Sequence, residues 1–236
     1  MNLTLLIIAP LVTAVAILLA KGLQQIRWIA LIGSVAQLIL GGALTNQFLA
    51  SRAAGNTATY LFENNYTWFE AFHINYHIGI DGIALSMILL TSVIVVAGIL
   101  ISWTMETLSK EYFFLLVLLS MGAYGFFIAL DIFTLFFFLE VAVIPKFLLI
   151  GVWGSGEKVK AAMKLALMLM AGSGLVFVGL LGIYNNTNSF DITTIVATGI
   201  NKQAQMLFFP FAFVGFGIFA ALFPFHTWVP DGHASA

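Results

Sequence analysis

The stretch Ile132–Trp153, IFTLFFFLEVAVIPKFLLIGVW, decides the fold, because it is apolar over about the length that crosses a bilayer. Two charges interrupt it: Glu140 lies near its middle, and Lys146 follows six positions later, directly after Pro145. A charge at the centre of a membrane helix costs roughly 2.5–3.5 kcal/mol on translocon scales. We therefore expect both charges to have a use, and ion movement is the leading interpretation.

The composition excludes a soluble globular protein. The chain is 61% hydrophobic and 8% charged, against about 25% charged residues in an ordinary soluble domain, and its mean hydropathy is +1.06. A net charge of −1 gives no indication of a nucleic-acid partner. The absence of cysteine excludes a disulfide framework, a Cys-ligated iron–sulfur cluster and a c-type haem.

Seven apolar runs have the length of a membrane span, at residues 3–20, 28–49, 82–103, 112–130, 132–153, 162–184 and 205–225. They predict an all-α fold: a polytopic transmembrane helical bundle of about seven spans with the last helix broken. We expect residues 1–236 to form a single membrane domain.

The distribution of Lys and Arg predicts the orientation. With the N-terminus outside, the inner segments hold six of these residues and the outer segments two, which agrees with the positive-inside rule. The polar segment 50–81 is then outside, and its alternating pattern from Tyr66 to Tyr76 predicts an extracytoplasmic hairpin loop. The five tryptophans, Trp228 included, fall at or beyond the ends of runs and are read as interfacial.

Each charged candidate has a functional and a structural reading. Glu140 is either a proton- or ion-carrying carboxylate that faces a hydrated path between helices or a neutral carboxyl that hydrogen-bonds a neighbouring helix. Lys146 is either re-aimed into the protein by Pro145 or snorkels toward an interface. By position alone, Lys164 reads as a positive residue at the inner edge of the sixth run.

The end of the seventh run, Phe223–His233, indicates a broken helix of the kind that lines ion sites in transporters. The alternative is an ordinary helix end with a polar loop. The broken-helix loop carries two prolines and three titratable residues: Pro224, Pro230, His226, Asp231 and His233. Their spacing matches no standard metal motif, so we expect no metal site.

Read in order, five motifs resemble the antiporter-like membrane subunits of proton-pumping NADH–quinone oxidoreductase (respiratory complex I), specifically the subunit M type. The resemblance covers about residues 60–236, the matching stretches being Gly79–Ile83, Leu139–Glu140 with Ile144–Pro145 and Leu149–Gly154, Ala161–Lys164, Ala171–Ser173 and Phe223–His233.

The resemblance implies a multi-pass subunit of the bacterial inner membrane whose partners are other membrane-arm subunits and the lipid bilayer. It implies proton transfer through Glu140 and nearby lysines, driven by quinone reduction elsewhere in an enzyme complex. Lys164 and His226 match family positions. No cofactor, redox step or small-molecule substrate other than protons is expected in this chain. A subunit of a related antiporter or membrane-bound hydrogenase, and a non-conducting structural subunit, are the alternatives.

Two departures from the family pattern stand out. Phe219 and Ala221 replace the usual lysine and a common proline before His226, and Lys146 replaces a neutral residue. We expect Lys164, entering from the next span, to replace the missing lysine as the partner of Glu140, with Lys146 as a separate relay position. The chain stops inside the broken helix, and we expect a fragment of a longer subunit, with a half-length subunit as the alternative.

Overall fold

The computed structural model describes residues 2–236, which form nine helices and one two-stranded sheet. The helices are α1 (Leu5–Leu19), α2 (Leu23–Ala53), α3 (Gly82–Ile101), α4 (Ser109–Ile128), α5 (Ile132–Trp153), α6 (Lys158–Thr187), α7 (Ile192–Thr198), α8 (Lys202–Phe219) and α9 (Trp228–Ser235). The strands are β1 (Leu61–Phe69) and β2 (Ile74–Ile80), and short 3₁₀ turns cover Glu70–Phe72, Ser102–Thr104 and Phe225–Thr227.

Six of the seven apolar runs coincide with a helix to within a few residues, and α5 has the predicted bounds. The seventh run, 205–225, extends beyond the end of α8 at Phe219. Five helices, α2 to α6, are long and apolar enough to cross a membrane by length and composition. α1 has only 15 residues, and α8 is not among the five. The count of about seven spans therefore stays a prediction.

The chain divides into two compact units, and the single membrane domain stays a prediction. Unit 1 contains the residues up to Asn65 together with His77–Ala129, so it holds α1 to α4. Its helices pack pairwise, α1 on α2 and α4, and α3 on α2 and α4. A core cluster that includes Ile17, Ala30 and Phe113 joins α1, α2 and α4.

Unit 2 contains Tyr66–Tyr76 and Leu130–Ala236, with α6 packed against α5, α8 and α9. Glycine permits the close approach of α6 and α8. A Cβ atom added at Gly182 would overlap the Phe208 ring, and one added at Gly215 would lie 2.6 Å from the backbone nitrogen of Val176. These glycines therefore allow α6 and α8 to pack closely.

Asp131 fixes the start of α5. Its Oδ1 accepts hydrogen bonds from the backbone N–H groups of Phe133 (3.0 Å) and Thr134 (2.9 Å), and its Oδ2 accepts one from Asn75 N–H (3.3 Å). The Thr134 hydroxyl donates to the Asn75 carbonyl (3.0 Å). Asp131 is fully buried, so one carboxylate both caps the helix that carries Glu140 and ties it to β2.

The hairpin lies inside segment 50–81, with β1 and β2 paired and joined by the Glu70–Phe72 turn. The connection ends at His73 in the left-handed conformation (φ 51°). A connection this short makes the strands antiparallel. His77 is only 5% exposed, with its Nε2 3.4 Å from a Glu63 carboxylate oxygen. That the segment is extracytoplasmic stays a prediction.

The seventh run is interrupted, as expected. α8 ends at Phe219, Pro224 lies in the non-helical segment, and the 3₁₀ turn leads into α9. Pro230 does not belong to the break: it is the third residue of α9, which also contains Asp231 and His233. A proline in the first turn of a helix is tolerated because its missing N–H would have no intrahelical partner there.

We predict that Asp131→Ala destabilises the protein by about 1–2 kcal/mol, because it removes the cap of α5 and leaves buried N–H groups without an acceptor. The midpoint of thermal unfolding in detergent measures the change. Glu70→Ala, at an exposed acid of the hairpin turn, is the control and should leave the midpoint unchanged. Equal midpoints for the two variants would contradict the capping role.

Candidate functional site

Glu140 is held from the neighbouring helix by a hydroxyl group. The Ser173 hydroxyl on α6 lies 2.5 Å from Glu140 Oε1 and donates to it. The same hydroxyl oxygen lies 2.9 Å from the Leu169 carbonyl, one turn earlier on α6. Both side chains are half-buried, so the carboxyl group lies within the protein at the α5–α6 contact.

The two contacts of Ser173 compete for one proton, because a serine hydroxyl has a single hydrogen to donate. With Glu140 ionised, the hydroxyl must point to the carboxylate. With Glu140 protonated, the carboxyl can donate to Ser173 Oγ while the hydroxyl turns to the Leu169 carbonyl. The arrangement accommodates both protonation states of Glu140 with a rotation of one hydroxyl.

The predicted pairing of Glu140 with Lys164 is wrong in this structure. Lys164 Nζ donates instead to Asp231 Oδ2 at 2.7 Å, and among residues 2–236 no cation forms an ion pair with Glu140. Lys164 precedes Ser173, the partner of Glu140, by nine residues on α6. Nine residues correspond to about 13.5 Å along the helix axis and about half a turn around it. α5 and α6 are adjacent helices. Lys164, however, lies at a different height along α6 from Ser173, the residue that contacts Glu140.

The Lys146 side chain contacts a buried aromatic ring. Its Nζ lies 4.7 Å from the ring centroid of Trp228, within the range of a cation–π contact. Trp228 is 3% exposed, and its indole N–H donates to the Ile218 carbonyl at 2.9 Å. The interfacial reading of Trp228 is therefore wrong: the ring is buried and positions a cation.

α9 contacts both lysines. Trp228 and Asp231 are three residues apart in this helix, which puts them on one face. Through this face the segment after the break binds Lys146 of α5 and Lys164 of α6. α9 is thus the element that connects the charges of the two long helices.

His226 lies in the 3₁₀ turn before α9, with its ring centroid 5.6 Å from that of Phe223. Its Nδ1 is buried and has no hydrogen-bond partner among the described residues. His233 is exposed. Within residues 2–236 no group of three or more His, Asp or Glu side chains is arranged to hold a metal ion.

Phe219 makes apolar contacts at the end of α8. It packs against two hydrophobic clusters of unit 2. One cluster includes Val143 and the other Phe136, residues of α5 that follow and precede Glu140 by about one turn. Phe219, at the position where the resemblance leads us to expect a lysine, thus makes apolar contacts.

Sequence reasoning missed Ser173 and Trp228. Ser173 stands in a small-residue stretch that signals close helix packing, and its hydroxyl within a membrane helix was the available signal. Nothing in the sequence indicated that Trp228 is buried, because a tryptophan at the end of an apolar run is usually interfacial.

Comparison with known proteins places these elements in a family. Residues 129–236 match the family described as "NADH:quinone oxidoreductase/Mrp antiporter, TM". The chain is 33% identical over 214 residues to NADH-quinone oxidoreductase subunit M of Rickettsia typhi, covering 89% of this chain and 42% of that protein. It is 31% identical over 237 residues to NADH-ubiquinone oxidoreductase chain 4 of Arabidopsis thaliana, covering 100% of this chain and 47% of that one. The chain thus spans less than half the length of these relatives.

Two solved structures share the fold. A chain of respiratory complex I from Thermus thermophilus with bound NADH superposes with a TM-score of 0.85 at 21% identity, over 99% of this chain and 47% of that one. A chain of the membrane-bound sulfane sulfur reductase, an archaeal respiratory membrane complex, superposes with a TM-score of 0.81 at 24% identity, over 99% and 48%.

The apolar helices of spanning length indicate a multi-pass membrane protein. The family match, together with a carboxyl group inside α5 and a broken helix beyond it, identifies the antiporter-like class. The chain belongs to the antiporter-like membrane subunits of NADH–quinone oxidoreductase, in the group of subunit M and chain 4.

The contact between Lys164 and Asp231 can be tested by exchanging the charges. Lys164→Asp places two carboxylates together, and adding Asp231→Lys should restore the pair. Because both side chains are partly exposed, 37% and 52%, we expect a coupling energy of about 0.2–1 kcal/mol from a double-mutant cycle on thermal unfolding. Lys164→Asp combined with Glu140→Lys is the matched control. Restoration by the control and not by the Asp231 exchange would contradict the observed pairing.

Proposed function

We propose that this chain is part of a proton-translocating membrane-arm subunit of a complex I-type NADH–quinone oxidoreductase. The observation that carries the proposal is the Glu140 carboxyl group inside α5, hydrogen-bonded by Ser173 in a way that suits both of its protonation states. An intramembrane carboxyl with such a partner can bind and release a proton without a large rearrangement.

The lysines extend the proposed path. Lys146 lies six residues after Glu140 on α5, a rise of about 9 Å along the helix, and receives cation–π stabilisation from Trp228. Trp228 and Asp231, the partner of Lys164, both lie in α9. His226 lies in the 3₁₀ turn directly before α9. We assign Lys146, Lys164 and His226 to proton transfer beyond Glu140. The arrangement of Lys146 supports its role as a relay position and not as the direct partner of Glu140.

Quinone reduction elsewhere in the complex would drive the transfer, and other membrane-arm subunits would be the partners. The homologous subunits are named as parts of NADH–quinone oxidoreductases, which supports this assignment. We propose the bacterial inner membrane as the location, which the similarity to bacterial subunit M proteins supports. The Lys and Arg distribution supports an external N-terminus.

A non-conducting structural subunit is the second candidate. It is suggested by Phe219, which stands where the resemblance leads us to expect a lysine. The two candidates differ in what they require of Glu140. A conducting subunit needs a titrating group at this position, whereas a structural subunit needs only a hydrogen-bonding side chain of the same shape.

We predict that Glu140→Gln lowers proton pumping by about tenfold or more in an assembled complex, because the amide keeps the shape and the contact with Ser173 but does not titrate. Proton uptake into vesicles, normalised to NADH oxidation, measures the effect. Glu157→Gln, at an exposed acid before α6, is the control. Pumping at the unmodified level in assembled Glu140→Gln complexes would establish the structural role instead.

We predict that Ser173→Ala lowers the pumping rate by about tenfold while Ser173→Thr retains most of it. A hydrogen bond to a charged group contributes about 1.5–3 kcal/mol, and about 1.4 kcal/mol corresponds to a factor of ten in rate. The threonine variant separates this role from packing, because it keeps the hydroxyl group while it changes the volume of the side chain. Equal pumping rates for the alanine and threonine variants would contradict the role of the hydroxyl.

The proposed orientation predicts that single cysteines at Asn64 and Ser155 differ in access. The chain has no cysteine of its own, so labelling is specific. In intact cells an impermeant thiol reagent should modify the cysteine at Asn64 and leave the one at Ser155 unmodified until the membrane is opened. The reverse pattern would contradict an external N-terminus.

A further inference from the structure

Unit 1 contains a polar arrangement that the proton path above does not use. Pro10 lies inside α1 and has no N–H, so the Leu6 carbonyl, four residues earlier, loses its helical donor. The Gln37 side chain of α2 replaces it: its Nε2 donates to the Leu6 carbonyl at 2.8 Å. This contact orients the amide group and turns Gln37 Oε1 away from Leu6.

Gln37 Oε1 is buried and has no hydrogen-bond partner among the described residues. The residue is only 3% exposed. A buried amide oxygen without a donor costs about 1–3 kcal/mol, and within the bilayer no bulk water reaches it. A hydrogen-bond donor next to Gln37 Oε1 would remove this free-energy cost.

A small cavity lies against Gln37 and between helices α1 to α4. Its volume is about 10 Å³, close to the smallest that holds one water molecule. Besides the Gln37 amide, three hydroxyl side chains line the cavity, and each residue is at most 8% exposed: Thr13, Ser34 and Ser120.

The lining hydroxyls offer acceptors. Each already donates its proton to a carbonyl of its own helix: Thr13 to Ala9 (2.8 Å), Ser34 to Leu31 (2.9 Å) and Ser120 to Val117 (2.7 Å). Their remaining lone pairs, like those of Gln37 Oε1, can only accept a hydrogen bond. The cavity thus combines the size of one water with a surplus of acceptor oxygens.

We propose that this cavity is a binding site for one water molecule, which donates hydrogen bonds to Gln37 Oε1 and to one of the hydroxyl oxygens. A monovalent cation would also match acceptor oxygens, but none of the side chains lining the cavity is a carboxylate that would offset a buried charge, and an uncompensated charge costs several kcal/mol. Through Thr13 the water would join α2 to the proline-interrupted α1, and through Ser120 it would join α2 to α4. The site lies in a different unit from Glu140.

A structure of the complex that contains this chain, at a resolution of about 2.5 Å or better, tests the site. The proposal predicts a density peak about 2.7–3.2 Å from Gln37 Oε1 and within hydrogen-bond distance of Thr13, Ser34 or Ser120. Well-defined density for Gln37 with no such peak would overturn it. A peak at about 2.4 Å from four or more oxygens would also overturn it, because these are the distances of a hard cation.

Two variants give a matched comparison. Gln37→Leu removes the oxygen and should abolish the peak, whereas Gln37→Glu, protonated in this surrounding, still donates to Leu6 and accepts from the water, so the peak should remain. If Gln37→Leu does not fold, Ser120→Val is tested instead. The methyl groups of valine fill the cavity, so this variant should also abolish the peak. A peak that survives Gln37→Leu or Ser120→Val, or disappears in Gln37→Glu, would contradict the assignment.

Discussion

The cost of placing charge inside apolar helices is the constraint on which unit 2 depends. Three charged side chains lie within the apolar runs 132–153 and 162–184, and each has a different kind of partner. Glu140 receives the Ser173 hydroxyl, Lys146 the Trp228 ring and Lys164 the Asp231 carboxylate. Only the last pair is a direct ion pair, and it is partly exposed. Glu140 and Lys146, the two charged residues of α5, have neutral partners.

The close packing of α6 places these partners. Glycine at positions 179, 182 and 215 lets α6 and α8 approach until a methyl group would not fit, and α9 returns against α6 beyond the break. The Ser155 N–H donates to the Ser235 carbonyl at 2.7 Å, which fixes the end of α9 beside the connection between α5 and α6. Trp228 and Asp231 then reach their lysines. The break in the helix is thus a structural requirement of the charge arrangement.

Hydropathy predicted the helices because a spanning segment must satisfy its backbone hydrogen bonds internally, so a run of about 20 apolar residues has few alternatives. Glu140 was predictable as a site because intramembrane carboxylates are expensive. Its partner was not: adjacency of α5 and α6 leaves the axial level undetermined, and Lys164 lies about 13.5 Å from the level of Ser173. Trp228, Pro230 and Asp231 were misplaced because the docking of α9 is tertiary and leaves no periodic pattern.

The central claim is that Glu140 changes protonation state while the complex works. Infrared difference spectroscopy on the assembled complex during NADH oxidation measures this directly, because a protonated carboxyl group has its own C=O stretching band, separate from that of the carboxylate. The account predicts a carboxyl band that appears or disappears on turnover, shifts with Ser173→Ala and is missing in Glu140→Gln. An identical difference spectrum for the unmodified chain and Glu140→Gln would contradict it.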